Sequence, residues 1–206
     1  MKILNLYAGI GGNRKLWGDE HEITAVEFEP YIAEAYKKMY PNDTVIIADA
    51  HEYLLQHGNE FDFVWSSPPC PTHSRANNFL HAQGIVRYPD MSLYQEILWL
   101  THRYKGKWLV ENVIPYYAPL VQPTATIDRH HYWSNFTIND MGFKRTERFN
   151  VINSRASTRK ESGVYQQTLE THLGIVLPEG TKNQRKLLRN AVHPQMGLHI
   201  LKESLK

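Results

Sequence analysis

The sequence predicts an α/β fold, a doubly wound and mostly parallel sheet with helices on both faces. Three observations predict it. Short β-branched or aromatic runs alternate with helical stretches over the first 113 residues. The runs are apolar at successive positions, as strands buried on both faces are. A glycine-rich turn follows the first run, where such sheets receive ligands beyond the carboxyl ends of their strands.

The elements follow in order. Strands are read at 3–6, 23–26, 45–48, 61–65 and 108–110. A helix is read at 30–40, where Ile32, Ala35, Tyr36, Met39 and Tyr40 recur at three- and four-residue steps and Pro30 suits a first turn. A second helix, 93–104, follows from Leu93, Ile97, Leu98 and Leu100. The pattern weakens from about Ser134, and 150–161 is polar without a clear period. It becomes helical again over 181–206 around Leu187, Leu188, Val192, Met196, Leu201 and Leu205. The chain therefore divides into a main domain (1–133), a small region (134–180) and a helical segment (181–206) that returns to the main domain.

Composition narrows the function. Of 206 residues, 42% are apolar and 12% aromatic, enough to bury a core. The 23 Lys and Arg exceed the 21 Asp and Glu by only two, which excludes a polybasic binder and confines any nucleic-acid contact to a local patch. One cysteine excludes an internal disulfide and any multi-thiolate metal site, and no metal is expected. No apolar run approaches the ~18 residues of a membrane span. The N-terminus enters a strand pattern rather than a signal core. A soluble protein of a reducing compartment is the expectation.

Chemistry-bearing residues gather at the strand ends. Tyr7-Ala8-Gly9-Ile10-Gly11-Gly12 lets backbone amides approach a ligand closely, and Glu27 follows Gly9 by eighteen residues, where nucleotide-binding folds hold ribose hydroxyls. With Asp49 after the third strand, the set predicts an adenosine-bearing cofactor. Taken singly, the turn reads as a tight strand–helix connection, Glu27 as a solvated strand end and Asp49 as a helix N-cap. The stronger signal is Ser66-Ser67-Pro68-Pro69-Cys70-Pro71-Thr72-His73-Ser74, which sets the sole thiol among turn formers rather than in a core. Glu111-Asn112-Val113 follows the fifth strand, so Cys70 and Glu111 can face one cleft.

These segments, with Arg189-Asn190-Ala191-Val192, stand in the order and approximate places seen in cytosine-C5 DNA methyltransferases. The chain resembles that family over 1–133 and about 183–205, as a compact member of the bacterial and phage type. The resemblance implies a Rossmann-like class I S-adenosylmethionine-dependent methyltransferase fold with a very small target-recognition region at 134–180. Cys70 would attack C6 of a flipped cytosine, Glu111 would engage N3, and Arg129 would help to hold the base. S-adenosylmethionine would lie against Tyr7, Gly9, Gly11, Gly12, Glu27, Phe28, Asp49, Pro68, Asn190 and Val192, although Phe28 reads equally well as a core aromatic. Ser74, Arg75, Asn112, His131, Arg155 and Arg159 would meet nucleic acid, His131 standing where the family has a second arginine. Arg145, Arg148 and Lys160 are further phosphate candidates. Residues 71–90 resemble the mobile loop that closes over DNA.

The implied partner is double-stranded DNA, with RNA as the alternative. No membrane is implied, and a chain acting as a monomer in the cytoplasm of a bacterial or phage-infected cell is expected. Arg189 replaces a glycine usual in the family. It either points to solvent or a DNA phosphate, or it grips the extra carboxylate of a carboxylated S-adenosyl donor, which would make the transferred group carboxymethyl. A zinc deaminase needs at least two cysteines, and a dehydrogenase leaves Cys70 and Glu111 unexplained. A catalytically silent binding module would be expected to lose one of the two, and both are present.

Overall fold

The computed structural model describes residues 1–142 and 159–206, and the side chains of all of these except 159–164. Seven strands form one sheet in the order β3-β2-β1-β4-β5-β7-β6. They are β1 (Lys2–Leu6), β2 (Glu22–Glu27), β3 (Thr44–Ile47), β4 (Phe63–Ser66), β5 (Lys107–Val113), β6 (Ala125–Ile127) and β7 (His130–Ser134). The first five are parallel, and β7 runs antiparallel to both β5 and β6. The helices are α1 (Pro30–Met39), α2 (Ala50–His57), α3 (Asn77–Ala82), α4 (Ser92–Arg103), α5 (Arg159–Leu173), α6 (Gln184–Asn190) and α7 (Pro194–Ser204). The strand order reverses between β1 and β4, which opens a crevice at their carboxyl ends.

Alternate strand residues bury on opposite faces. Leu4, Leu6, Val26, Val64 and Val110 pack under α2 and α4 through Leu54, Leu93, Ile97 and Leu100. Ile3, Ile23, Phe63, Trp65 and Leu109 pack on the other face with Met196, Ile200 and Leu201 of α7. Each such side chain contributes about 1.5–3 kcal/mol, against roughly 0–1 for an exposed ion pair, so these two apolar layers hold the fold.

Several elements differ from the sequence expectation. β5 extends to Val113 because β7 pairs with it as far as Val113↔His130, so Glu111 and Asn112 lie within a strand rather than after it. The β6–β7 hairpin turns on Asp128-Arg129 with Asp128 at φ 54°, and carries no Asn-Gly or Asp-Gly signal. Leu98 and Leu205, read as core positions, are 50% and 58% exposed. The expected C-terminal helical segment is two helices, broken where His193 is extended ahead of Pro194 at the first turn of α7. Leu169 and Leu173 of α5, with Ile175 and Leu177, share a cluster with Ile10, Leu187 and Leu188.

Candidate active site

The 7–12 turn connects β1 to a short helical turn at Asn13–Leu16. Tyr7, Gly9 and Gly11 are all left-handed, at φ 54°, 55° and 68°. A Cβ on Gly11 would sit 2.5 Å from the Tyr40 ring and 2.7 Å from that of Tyr36, so this position requires glycine. Tyr36 is held by Asp43, which forms a buried ion pair with Arg14 at 2.9 Å. A Cβ on Gly9 would meet nothing nearer than the Tyr7 carbonyl at 4.0 Å, so the backbone there faces open space. Gly12 faces the opposite constraint: a Cβ there would lie 2.3 Å from the Val192 carbonyl. Ala191 and Val192 thus pack directly on the turn.

Glu27 ends β2 and accepts hydrogen bonds from the backbone N–H of Gly9 (2.9 Å) and of Glu29 (3.0 Å). Its carboxylate therefore fixes the turn from below. Phe28 is 66% exposed, which rules out the core reading. Asp49 accepts from the Glu52 N–H at 3.0 Å as the N-cap of α2, and its charge acts on Tyr7. The cap reading and a place beside the turn hold together.

The second half of the site lies at β4 and β5. Cys70 is half-buried, and its carbonyl accepts from the N–H groups of His73 and Ser74, each at 3.0 Å. Burial pushes the Cys70 thiol up, the Glu111 carboxylate pushes it further, and the Arg129 guanidinium pulls it back. Arg129 reaches this place because its carbonyl accepts from Ile114 N–H at the start of the β7 hairpin strand. Arg75 acts electrostatically on His131, whose imidazole burial pushes down.

Not every expected contact has the geometry for its role. Asn112 is 3% exposed; it donates to the Pro68 carbonyl (3.0 Å) and accepts from Val113 N–H (2.9 Å). It braces the cysteine loop rather than facing a substrate, because its strand position turns the amide inward. Ser74 Oγ accepts from Ala76 N–H at 3.3 Å. Arg189 lines a cleft of about 310 Å³ with Tyr165, Gln166, Asn183, Gln184, Arg185 and Lys186, and no residue of the 7–12 turn borders it. Arg145, Arg148 and Arg155, and the side chains of Arg159 and Lys160, lie outside the described residues.

Sequence reasoning missed Glu96. It is fully buried on α4, and accepts from Tyr7 Oη and Ser66 Oγ, each at 2.6 Å. The available signal was a charged residue on the apolar stripe that Leu93 and Leu100 define. His73, which the sequence reading placed in the 71–90 loop without a role of its own, is buried with Nδ1 2.5 Å from the Tyr117 hydroxyl, and anchors the start of that loop.

Among known proteins, a family model for C-5 cytosine-specific DNA methylase matches residues 1–116. A DNMT2 triple mutant from Spodoptera frugiperda superposes with a TM-score of 0.61 at 15% identity, covering 100% of this chain and 99% of that one. The methyltransferase EhMeth of Entamoeba histolytica gives 0.59 at 10% identity, with 100% and 98% covered. No curated protein sequence matches. The sheet is thus that of a class I, Rossmann-like methyltransferase. With more than half of its length under the family model, the chain belongs to the C-5 cytosine-specific DNA methylases.

Proposed function

We propose that this methyltransferase modifies C5 of a cytosine flipped out of double-stranded DNA, through a covalent bond between Cys70 and C6. The observation that carries the reading is that Cys70, after β4, lies within electrostatic reach of Glu111 on β5 and of Arg129 in the β6–β7 turn, with Asn112 of β5 tied to the cysteine loop through the Pro68 carbonyl. Cytosine C5 is a poor nucleophile. Loss of the Cys70 proton and formation of an S–C6 bond push the ring electrons toward C5. Glu111, a carboxylate beside the thiol, takes up the Cys70 proton and passes it to N3, which neutralises the charge that the thiolate brings to the ring. Arg129 favours the thiolate over the thiol. Once C5 carries the transferred methyl group, a base removes the C5 proton, N3 returns its proton to Glu111, and the S–C6 bond breaks to release the Cys70 thiolate.

S-adenosylmethionine is the methyl donor of this family. The residues fit it. Gly9 faces open space, the acids Glu27 and Asp49 supply acceptors for ribose hydroxyls, and exposed Phe28 offers a face for adenine. Tyr7, Gly11, Gly12, Pro68, Asn190 and Val192 complete the expected lining. When bound, the donor supplies a methyl group activated by a sulfonium sulfur. Residues 134–180, with Arg155 and Arg159, serve as a small target-recognition region, and Ser74, Arg75 and His131 flank the nucleic acid. Among the described residues no helix is long and apolar enough to cross a membrane.

The test uses labelled S-adenosylmethionine with plasmid DNA or tRNA, followed by nucleoside analysis. Label in 5-methylcytosine of DNA is expected, whereas label confined to tRNA makes RNA the substrate. DNA containing 5-fluorocytosine should trap wild type covalently and not Cys70→Ala. Glu111→Gln should lower turnover ~10²-fold or more.

A further inference from the structure

One carboxylate joins the two halves of the site. Glu96 is completely buried on the sheet-facing side of α4, and no lysine or arginine pairs with it among the described residues. Its Oε1 accepts from Tyr7 Oη, its Oε2 accepts from Ser66 Oγ, and Nδ1 of His51 lies 3.2 Å from Oε1. Tyr7 is the first residue after β1 and is held left-handed. Ser66 is the last residue of β4, four positions before Cys70. His51 opens α2 two positions after Asp49. Three chain segments that reach the crevice therefore converge on a single side chain from a fourth element.

A buried charge is costly unless its oxygens are well occupied, and a packed apolar residue would serve α4 as well or better for stability alone. The donors are also not interchangeable with structural ones. Tyr7 holds a left-handed backbone that a non-glycine residue adopts only when its surroundings impose it. The bond to Glu96 is such an imposition.

We propose that Glu96 is a positioning residue for methyl transfer: it fixes the donor-binding turn through Tyr7 and the nucleophile loop through Ser66, with His51 as its counter-charge. This rests on the reading of Cys70 as nucleophile only for its kinetic half, since the effect on donor binding requires no substrate. The groups facing His51 are Glu96 from α4, Asp49 and Glu52 at the start of α2, and Asp90 from the segment before α4. All are acids, and the hydrogen bond to Glu96 pushes the imidazole up, with burial opposing it. The imidazolium pairs with Glu96 below that raised value. Above it Glu96 loses its counter-charge among like charges, so donor affinity should fall as pH rises through the His51 titration.

The test measures S-adenosylmethionine binding by calorimetry, steady-state kinetics, and the His51 titration by NMR. Tyr7→Phe should weaken donor binding about tenfold. Ser66→Ala should lower kcat severalfold and leave the donor KM near wild type. Glu96→Gln should do both, lower the His51 midpoint, and flatten the pH dependence of donor binding. Adding Tyr7→Phe to Glu96→Gln should cost little more, because both remove the same bond. Donor affinity and kcat within twofold of wild type in a folded Glu96→Gln protein overturn the proposal, as do additive effects in the double variant. Should Glu96→Gln not fold, Tyr7→Phe and Ser66→Ala decide: both within twofold overturns it, and the predicted split supports it. Should Cys70 prove not to be the nucleophile, the calorimetric and NMR results still stand or fall on Glu96.

Discussion

Reaction at Cys70 needs the thiolate, yet burial and Glu111 both hold the proton on, and a backbone hydrogen bond and the Arg129 guanidinium oppose them without cancelling them. The thiol should therefore alkylate slowly at neutral pH, and its rate should rise to a midpoint above that of an ordinary cysteine. Glu111→Gln removes the neighbouring negative charge and should move the midpoint down; Arg129→Ala should move it up. Iodoacetamide labelling across pH, read by mass spectrometry, measures all three. At this scale the sequence was readable where chemistry is compressed into short strings: Cys70 behind two prolines, Glu111 at the sheet's carboxyl edge, Glu27 at a fixed interval from Gly9. It was not readable for Asn112 and Glu96. Their partners are Pro68, Tyr7 and Ser66, 44, 89 and 30 residues away, and only the fold brings them into reach.

The elements that position the site were legible where their periodicity is strong. The parallel strands and the helices α1 and α4 fall within a few residues of expectation. The β6–β7 hairpin was missed because its two short strands are joined by Asp128-Arg129, a left-handed turn without glycine. Ala191 and Val192 bear closely on Gly12 of the 7–12 turn. Gly12→Ala would place a methyl group 2.3 Å from the Val192 carbonyl, and backbone cannot yield as a flexible side chain does. The segment should be displaced, weakening S-adenosylmethionine binding at least tenfold in calorimetry while circular dichroism stays near wild type. The cleft between α5 and α6 makes a separate prediction. Among the described residues its lining includes Arg185, Lys186 and Arg189 and no acid. If duplex DNA crosses this face, Arg185→Ala with Lys186→Ala should reduce the slope of log affinity against log salt by about 1–2, since each phosphate contact contributes roughly 0.9.

For the whole molecule, alternation of strands and helices was sufficient to predict the sheet, since a right-handed crossover leaves few other topologies. The return of the last helices was signalled by their apolar spacing, but their seat was not. That seat is tight: α7 lies on the Asn13–Leu16 turn so closely that a Cβ on Gly197 would be 2.2 Å from the Asn13 carbonyl, and Trp17 donates to the Gly197 carbonyl at 3.1 Å. Gly197→Ala should destabilise the protein by about 1–3 kcal/mol, read as a lower urea midpoint with an unchanged slope. The same contact has a meaning in time. Trp17 and Gly197 are separated by 180 positions, so during synthesis β1 and its turn leave the ribosome long before their cover exists. Neighbouring strands can pair as they emerge, but the turn after β1 stays uncovered until α7 arrives, and closure of that loop is entropically late. A nascent chain arrested before residue 190 would therefore expose Ile10, Trp17 and Ile23 to chaperones or to self-association, and methylating capacity would appear only after α7 has been made.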